Sequence, residues 1–351
     1  MQTDKKIFKT HRQLLKILRD RGLQINKGSQ GSRVIKILEK ENYYNVINGY
    51  KRFFILNQSS VDVPETYIPK TTFDEIYALC SFDRELRHIH LKFLLRIENN
   101  FKTVVSHTCS KNYGYDNYLK LENFDCKPTS DMIIRKKIAK YHKIDISDSA
   151  KIDFISSESN IQNITKLFGE IQNDIARQLS KHNEMVSHYM TLHGYIPLWV
   201  LVNVLTFGKV TRFYLYMKES DKIDIAKNFG LQFKELHKYM TMLSFARNKC
   251  AHDERFFDIK FAQRIHTKSI SNFSSLKLPK DSSGSYTKGI CDAFTIAIIF
   301  KKLLSKSDFN EFYNLMDQAI KKLSKHLVVI SEDIILDTMG YTKNWKLIKK
   351  L

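Results

Sequence analysis

The sequence predicts an all-α protein. Glycine and proline, which interrupt helices, number 12 and 5 among 351 residues, well below their average usage of about 12%. Between these residues, apolar side chains recur every three to four positions over long stretches, the spacing that buries one face of a helix. With 43% hydrophobic and 12% aromatic residues, the chain can fill a core, which excludes bulk disorder.

The first predicted helix runs to about Asp20. We expect it to stop at Gly22, with Leu23 closing over the turn. The next loop, KGSQGS at residues 27–32, is similar in composition to a phosphate cradle, but it lacks P-loop spacing and follows a helix instead of a strand. We interpret it as a capped turn before a second helix that begins near Arg33. The apolar stripe of the first helix comprises Ile7, His11, Leu14, Leu15 and Leu18.

A loop and a long core helix follow. Two prolines mark a loop over residues 61–69, and Thr72 is a suitable N-cap for the helix behind it. Within residues 83–105, apolar side chains and one histidine recur at helical spacing, which indicates a core helix. They are Leu86, Ile89, His90, Phe93, Ile97, Phe101 and Val104.

Two opposite charges, Arg87 and Glu98, border the apolar face of that helix. At about 100° per residue they fall on neighbouring lines of the helical wheel. One interpretation is a half-buried ion pair that supports the bundle. The other is that Arg87 or Glu98 orients a catalytic group from a second helix. The sequence leaves both interpretations open.

Residues 131–143, DMIIRKKIAKYHK, interleave five Lys and Arg side chains with apolar ones. A solvated helix face is the default interpretation, but this segment is also the best local candidate for contacts to a nucleic-acid backbone. Residues 147–159 are polar enough to predict a loop, and the Ser-rich stretch 268–289 predicts an exposed linker or insertion. The candidate backbone contacts are Arg135, Lys136, Lys137 and Lys140.

We therefore expect four regions. These are an N-terminal helical region at 1–70, a helical core at 71–265, the linker or insertion at 266–289, and a C-terminal helical appendage at 290–351. In the appendage, helices are expected within 290–327 and 331–351. We find no internal repeat.

Charge points to an anionic partner. The chain carries 57 Lys and Arg against 37 Asp and Glu, a formal net charge of +20, and such a field attracts nucleic acid or anionic lipid. Lysine predominates over arginine, and AT-rich coding can produce such a bias. The bias replaces one basic residue by another, so it does not explain the excess of basic over acidic residues. No uninterrupted apolar stretch approaches the roughly 20 residues that cross a bilayer, and no secretory signal is present. We therefore expect a cytoplasmic protein without membrane association.

Metal and nucleophile motifs do not occur. The five cysteines form no C-x-x-C pair, so we expect neither a disulfide framework nor structural zinc. The twelve histidines are poorly spaced for shared coordination, and there is no H-E-x-x-H or G-x-S-x-G. The expectation is no metal and no cofactor.

One segment stands apart, LQFKELHKYMTMLSFARNKCAHDERFFD at residues 231–258. Arg247 falls within the apolar stripe of its own helix, where a cation must find an anionic partner or incur a large desolvation cost. Asn248 and His252 are four residues apart and share the adjacent face. A guanidinium, an amide and an imidazole are therefore expected on one patch.

A second R-x4-H pair, Arg177 and His182, shows that this spacing alone means little. The pair at Arg247 and His252 differs because an asparagine follows the arginine, an apolar run precedes it, and Arg255 comes after it.

R-N-x-x-x-H at the end of an apolar helix resembles the signature of HEPN domains, the helical ribonuclease modules of many toxins and antiviral effectors. In order, NYYNVINGYKRFF (42–54), the stretch 71–102, IPLWVLVNVLTFGKVTRFY (196–214) and RNKCAHDERFF (247–257) resemble the Abi-like family of bacterial abortive-infection proteins, especially the lactococcal AbiD/AbiF group. The tail MGYTKNW (339–345) is similar to the G-[FY]-x-x-N-W ending of that group. The resemblance covers about residues 11–260. It departs at Asp258, where relatives with H-x-x-R-x-x-N carry Asn, and at 268–289, which has no counterpart.

The resemblance implies an HEPN-like helical bundle that cleaves RNA without a metal. On this mapping His252 is the acid or base, Arg247 the phosphate clamp and Asn248 the positioning group. Glu98, Arg87 and Arg255 would support them. The implied products carry a 2′,3′-cyclic phosphate and a 5′-OH.

Because one histidine cannot easily be both acid and base, we expect a homodimer in which two RNKCAH segments face one another. The resemblance also implies RNA as a partner, including a cognate structured non-coding RNA as guard or antitoxin. Lys51 and Arg52, flanked by Tyr50 and Phe53, are candidates for phosphate contact plus stacking.

Two alternatives remain. In the first, the chain is a non-catalytic RNA-binding protein, with Arg247 buried against Glu98 and His252 capping a helix end. In the second it is a DNA-binding regulator, but no helix-turn-helix spacing supports that class.

Overall fold

A computed structural model describes residues 7–58 and 65–351. The first helices and strands are α1 (His11–Asp20), α2 (Ser29–Lys40), β1 (Ile55–Asn57), β2 (Thr66–Tyr67), α3 (Phe73–Tyr113), α4 (Met132–His142), α5 (Ser149–Ser180) and α6 (Glu184–His193). They are followed by α7 (Leu198–Leu201), α8 (Phe207–Tyr216), α9 (Glu219–Lys227), α10 (Phe233–Ala251), α11 (Ala293–Leu303), α12 (Lys306–Ser324) and α13 (Glu332–Met339).

The all-α prediction is confirmed. In the described ranges, strands are limited to the antiparallel pair of β1 and β2, in which Ile55 lies opposite Tyr67. Short helical turns connect the longer helices, including a π-helical turn at Tyr44–Asn48 and a 3-10 turn at Lys51–Phe53. No helix in the described part of the chain has both the length and the apolar character to cross a bilayer.

The chain divides into two compact units. The first comprises Met1–Phe93 and Ala246–Leu351, and the second comprises Leu94–Phe245. The N-terminal and C-terminal helices therefore belong to the same unit as the RNKCAH segment. The region boundaries at residues 70, 265 and 289 stay predictions.

The N-terminal helices follow the sequence signals closely. Gly22 adopts the left-handed backbone conformation, with φ +90°, and the Leu23 N–H donates to the Leu18 carbonyl (3.0 Å). This is the expected way for α1 to end. The KGSQGS turn is shorter than expected because α2 already begins at Ser29, with Gly28 as its N-cap. Residues 61–64 of the predicted loop lie outside the described residues.

Helix α3 is the core helix that the periodicity predicted. Its N-cap is reciprocal, since Glu75 N–H donates to Thr72 Oγ1 (3.2 Å) and Thr72 N–H donates to Glu75 (3.4 Å), the pairing of a capping box. The buried Glu75 also accepts the Val328 and Val329 N–H groups at 2.6 and 2.7 Å. Phe93 and His90 are fully buried on the apolar face.

In the second unit, the predicted loop at 147–159 is wrong. Asp148 caps α5 by accepting the Lys151 N–H (3.2 Å), and the helix buries Ile152 and Ser156 one turn apart. Of the serines that indicated a loop, Ser149 and Ser159 lie on the exposed side of this amphipathic helix and Ser156 on its buried side. Helix α5 then contacts α4, α6 and α8.

The stretch at 268–289 differs from the exposed linker that the sequence indicated. Apolar residues spaced by two to three positions are buried along it, in part on a 3-10 turn at Phe273–Leu276, where side chains three apart share one face. The Phe273 ring also packs edge-on against Tyr286, with ring centroids 4.9 Å apart. The buried residues are Ile270, Phe273, Leu276 and Leu278.

Beyond that stretch, α11, α12 and α13 confirm the helical C-terminal region. Asp292 and Thr295 form a capping box at the start of α11, and residues 293–300 of that helix are buried. The terminal motif packs here, because Tyr341 contacts both Phe294 and Trp345 at ring-centroid distances of 4.7 and 5.7 Å.

Candidate functional site

The end of α10 fixes the position of His252. Its N–H donates to the Asn248 carbonyl (3.0 Å), and the Glu254 N–H donates to the Lys249 carbonyl (3.1 Å). Asp253, between them, adopts φ +55°, so the helix ends in a left-handed turn. Aspartate tolerates this conformation better than most residues. His252 is therefore the last residue before the chain reverses.

Exposure differs among the three motif side chains. Asn248 and His252 are exposed and lie four residues apart on one face. Arg247 is half-buried beside the core residues Leu243 and Ala246. The His252 imidazole and the Asn248 amide are accessible to a ligand. The catalytic roles of the three side chains stay predictions.

A buried carboxylate, Asp83, holds the segment that follows the motif. It accepts hydrogen bonds from the Tyr50 hydroxyl (2.8 Å), the Phe256 N–H (3.1 Å) and the Phe257 N–H (2.6 Å). Arg87 adds an ion pair at 2.8 Å, one helical turn along α3. Burial raises the pKa of Asp83, while the Arg87 guanidinium and the hydrogen-bond donors act in the opposite direction. Four donors on one buried side chain leave this turn little freedom.

Arg87 joins that carboxylate to the motif turn. One of its terminal nitrogens pairs with Asp83 and the other pairs with Asp253, the residue after His252. The guanidinium is buried, whereas the Asp253 carboxylate is mostly exposed. Arg87 thus forms a buried ion pair within α3 and also contacts the turn after His252, and its role in orienting a catalytic group stays a prediction.

Glu98 and Arg255 make different contacts. Glu98 is buried and pairs with Lys102 on its own helix (2.8 Å). Arg255 donates to the Gly49 carbonyl (2.8 Å) and pairs with Asp258 (3.0 Å). Arg255 thereby ties the residues after His252 to the NGYKRF segment, about 200 positions earlier in the chain.

The candidate RNA-binding residues fall into two groups. Lys51 pairs with Glu65 (2.8 Å) and Arg52 pairs with Asp258 (3.0 Å), so both cations have acidic partners within the chain. Tyr50 and Phe53, expected as stacking groups, pack against Phe257 with ring centroids 5.7 and 5.8 Å away. On α4, Arg135 pairs with Asp153, while the other candidates there are exposed: Lys136, Lys137 and Lys140.

The groups around the motif limit which reactions this site can carry out. Burial raises the pKa of Cys250 to about 12, so this thiol stays protonated and is a poor nucleophile. In the described residues, no three His, Cys, Asp or Glu side chains are grouped as a metal site would require. Histidine is the residue type that most often serves as a general acid or base, and His252 is the exposed motif side chain of that type.

Sequence reasoning missed Asp83, Tyr50 and Asp253 as parts of this site. One signal was present, because D-x-x-x-R in SFDRELR places Asp83 and Arg87 one helical turn apart. The N–H groups of Phe256 and Phe257 that complete the arrangement carry no signal of their own, since every residue but proline has one.

The fold and this site define an all-α protein with an arginine, an asparagine and an exposed histidine at a helix end that is braced from a second helix. The sequence model of the family described as Abi-like protein matches residues 36–258, and the chain belongs to that family. The match includes both the NGYKRF segment and the RNKCAHDERFF segment that Arg255 and Asp83 hold together. No curated protein and no solved structure matches the chain.

Proposed function

We propose that this protein is a metal-independent endoribonuclease of the HEPN type that acts in abortive infection, a form of phage defence. Membership of the Abi-like family suggests the biological role. The observation that carries the activity is the end of α10, where exposed Asn248 and His252 follow Arg247 in a turn fixed by Arg87.

The chemistry follows from the residue types. The His252 imidazole takes the proton from a ribose 2′-OH, and the 2′-oxygen attacks the neighbouring phosphorus. The P–O5′ bond breaks, and the leaving oxygen receives a proton. Arg247 stabilises the negative charge that accumulates on the phosphate oxygens, and the Asn248 amide positions the phosphate. The products are a 2′,3′-cyclic phosphate and a 5′-OH.

A second imidazole is needed if one group removes a proton while another supplies one. We propose that two copies of the chain pair so that their RNKCAH segments face one another. The exposed position of His252 at a helix end leaves it accessible to a second copy. A dimer in which cleavage is lost when either imidazole is replaced would fit this arrangement.

RNA binding would extend beyond the reacting phosphate. The exposed side chains of Lys136, Lys137 and Lys140 on α4 are suited to the phosphate backbone. Lys51, Arg52 and Arg135 contribute less in this proposal because acids in the chain already neutralise them. A structured non-coding RNA that restrains the nuclease is the partner we propose for the large net charge of +20.

Cleavage of total RNA in EDTA tests the proposal. We expect wild-type protein to cut, and His252→Ala or Arg247→Ala to lower the rate at least about 100-fold, because each removes a group that acts in the transition state. End-group analysis should find cyclic phosphates. The matched control is the second R-x4-H pair, replaced as Arg177→Ala and His182→Asn, since asparagine tolerates the φ of +52° at position 182. Unchanged cleavage by His252→Ala would contradict the site.

A non-catalytic RNA-binding protein is the second candidate. The single motif imidazole per chain and the large positive charge favour it. This candidate predicts that wild-type protein neither cuts RNA nor arrests growth on induction, and that it co-purifies with one defined RNA. The sequence of that RNA would then identify the partner.

A further inference from the structure

The second compact unit carries an exposed row of aromatic and imidazole rings, far along the sequence from RNKCAH. We call it the ring strip. Tyr115 and Tyr195 lie with ring centroids 4.8 Å apart, Tyr195 and His193 follow at 6.0 Å, and His193 lies 5.6 Å from Tyr189. His188 extends the strip, 5.4 Å from Tyr189 and 6.2 Å from His193. Five rings thus form one connected surface feature.

Two helix ends produce this arrangement. Tyr189 and His193 are one turn apart on α6, so they share a face. Gly194, at φ +74°, ends α6 and reverses the chain, which brings Tyr195 beside His193. Gly114, at φ +84°, does the same at the end of α3 and presents Tyr115. Glycine is suited to both positions because a side chain is strained at positive φ.

The strip is not part of a hydrophobic core. Tyr115 is 48% exposed, His188 and His193 are exposed, and Tyr189 and Tyr195 are half-buried. By contrast, the rings that fill the core of this protein, such as Phe101 and Tyr214, are buried. A connected row of rings that remains open to water is suited to a ligand with flat faces of its own.

We propose that the ring strip binds unpaired nucleobases of RNA. Bases stack on Tyr and His side chains, and the contact is tolerant of sequence because every base has a flat face. In a duplex the bases already stack on one another, so the strip selects single-stranded loops or tails. This proposal rests on the proposed function in one respect, that the partner is RNA.

Charges beside the strip are mixed. Lys111 and Lys181 precede Tyr115 and α6 and are exposed, while Asp116 and Glu184 are exposed in the same stretches. Phosphate attraction at the strip is therefore weak, and stacking must provide most of the binding. The strip and the lysines of α4 consequently differ in how salt affects them, because only phosphate contacts release counterions.

Titration of a single-stranded RNA that contains one 2-aminopurine tests the proposal. The protein carries His252→Ala, so that no cleavage intervenes. We expect 2-aminopurine fluorescence to be quenched on binding, and a hairpin with a fully paired stem of the same composition to bind at least about tenfold more weakly. Replacing two rings, His193→Ala with Tyr195→Ala, should weaken single-strand binding about tenfold or more.

Three controls separate stacking from other effects. Tyr195→Phe keeps the ring and should retain wild-type affinity. Tyr44→Ala removes an exposed tyrosine of the first unit (68% exposed) and should change nothing. The slope of affinity against salt should be the same for the double ring variant and for wild type, whereas Lys136→Ala with Lys137→Ala should reduce it.

Equal affinities of the double ring variant and wild type would overturn the proposal, as would equal binding of single strand and hairpin. A ring variant that changes the mass of the assembly in solution but leaves RNA binding intact would also overturn it and would assign the strip to a contact between copies. Binding is measured without cleavage. If wild-type protein does not cleave RNA but the ring strip still binds it, only the nuclease proposal is refuted.

Discussion

At the scale of single residues, Asp83 has the largest structural role near the motif. It has no exposed side-chain surface and accepts from a tyrosine, an arginine and two backbone N–H groups. The Asp83–Arg87 pair could have been found from its spacing in SFDRELR. Its connection to Phe256 and Asp253 could not, because those contacts join positions more than 160 residues apart.

We expect Asp83→Asn to destabilise the protein by about 3 kcal/mol, because an amide offers one acceptor oxygen to four donors and leaves Arg87 without its buried counter-ion. Urea denaturation gives the free energy of unfolding. Asp224→Asn is the matched control, since it breaks an ion pair with Lys227 whose two side chains are more than half exposed, and it should cost below about 1 kcal/mol. Equal losses in the two variants would contradict the role of Asp83.

At the scale of secondary-structure elements, helix caps and apolar periodicity were the sequence features that predicted helix boundaries and buried faces reliably. They identified the end of α1, the N-cap of α3 at Thr72 and the apolar face of α3. They failed for the start of α5, where polar composition outweighed a usable cap at Asp148. The 268–289 stretch likewise looked like a linker, since its apolar residues have the shorter spacing of a 3-10 turn.

One close contact between elements explains a glycine of the C-terminal motif. Gly340 ends α13 at φ +81°, and a Cβ there would lie 2.2 Å from the Asp292 carboxylate. Asp292 caps α11 and accepts the Gly289 N–H (2.9 Å), so it cannot move aside without losing these bonds. Contact with the cap of α11 therefore restricts position 340 to glycine.

We expect Gly340→Ala to lower the free energy of unfolding by about 3–5 kcal/mol, the combined cost of a left-handed alanine and an overpacked site. Gly284→Ala is the control for backbone strain alone. Position 284 has a similar φ of +78° but no heavy atom within 4 Å of an added Cβ, so about 1–2 kcal/mol is expected. Thermal or urea unfolding measures both, and a loss for Gly340→Ala no larger than the control would refute the contact.

At the scale of the whole molecule, charge is distributed unequally between the two units. The unit that contains RNKCAH has 36 Lys and Arg against 21 Asp and Glu, a surplus of 15, and the other unit has 21 against 16, a surplus of 5. The positive charge, which favours anionic ligands in general, is therefore concentrated on the unit that contains His252. The ring strip belongs to the less charged unit, which suits a binding mode based on stacking.

Acid should destabilise the fold through His90. Burial lowers the pKa of His90 to about 4, and its Nδ1–H donates to the Leu86 carbonyl (2.7 Å) among the rings of Phe256, Phe300 and Phe312. In the unfolded chain the pKa is about 6.5, so between these values the unfolded state binds one more proton. Stability is retained above pH 6.5 and falls as the pH drops towards 4, by about 3 kcal/mol.

Urea denaturation at pH 7.5 and pH 4.5 measures this effect. In His90→Leu the difference in unfolding free energy between the two pH values should shrink by most of that amount, whatever the substitution does to stability at pH 7.5. A variant with the full pH dependence of wild type would show that other groups cause the acid sensitivity.

The sequence by itself determined the helical fold, the core face of α3, the net charge and the RNKCAH segment, because periodicity, caps and residue types act over a few neighbouring positions. Only the tertiary structure decided which cations form ion pairs within the chain. Arg52 and Arg135 have acidic partners, whereas the lysines of α4 are exposed to solvent. The tertiary structure also decided that Arg87 braces the motif turn and that five rings form one surface strip. These contacts depend on distances between residues far apart in sequence, which no local pattern encodes.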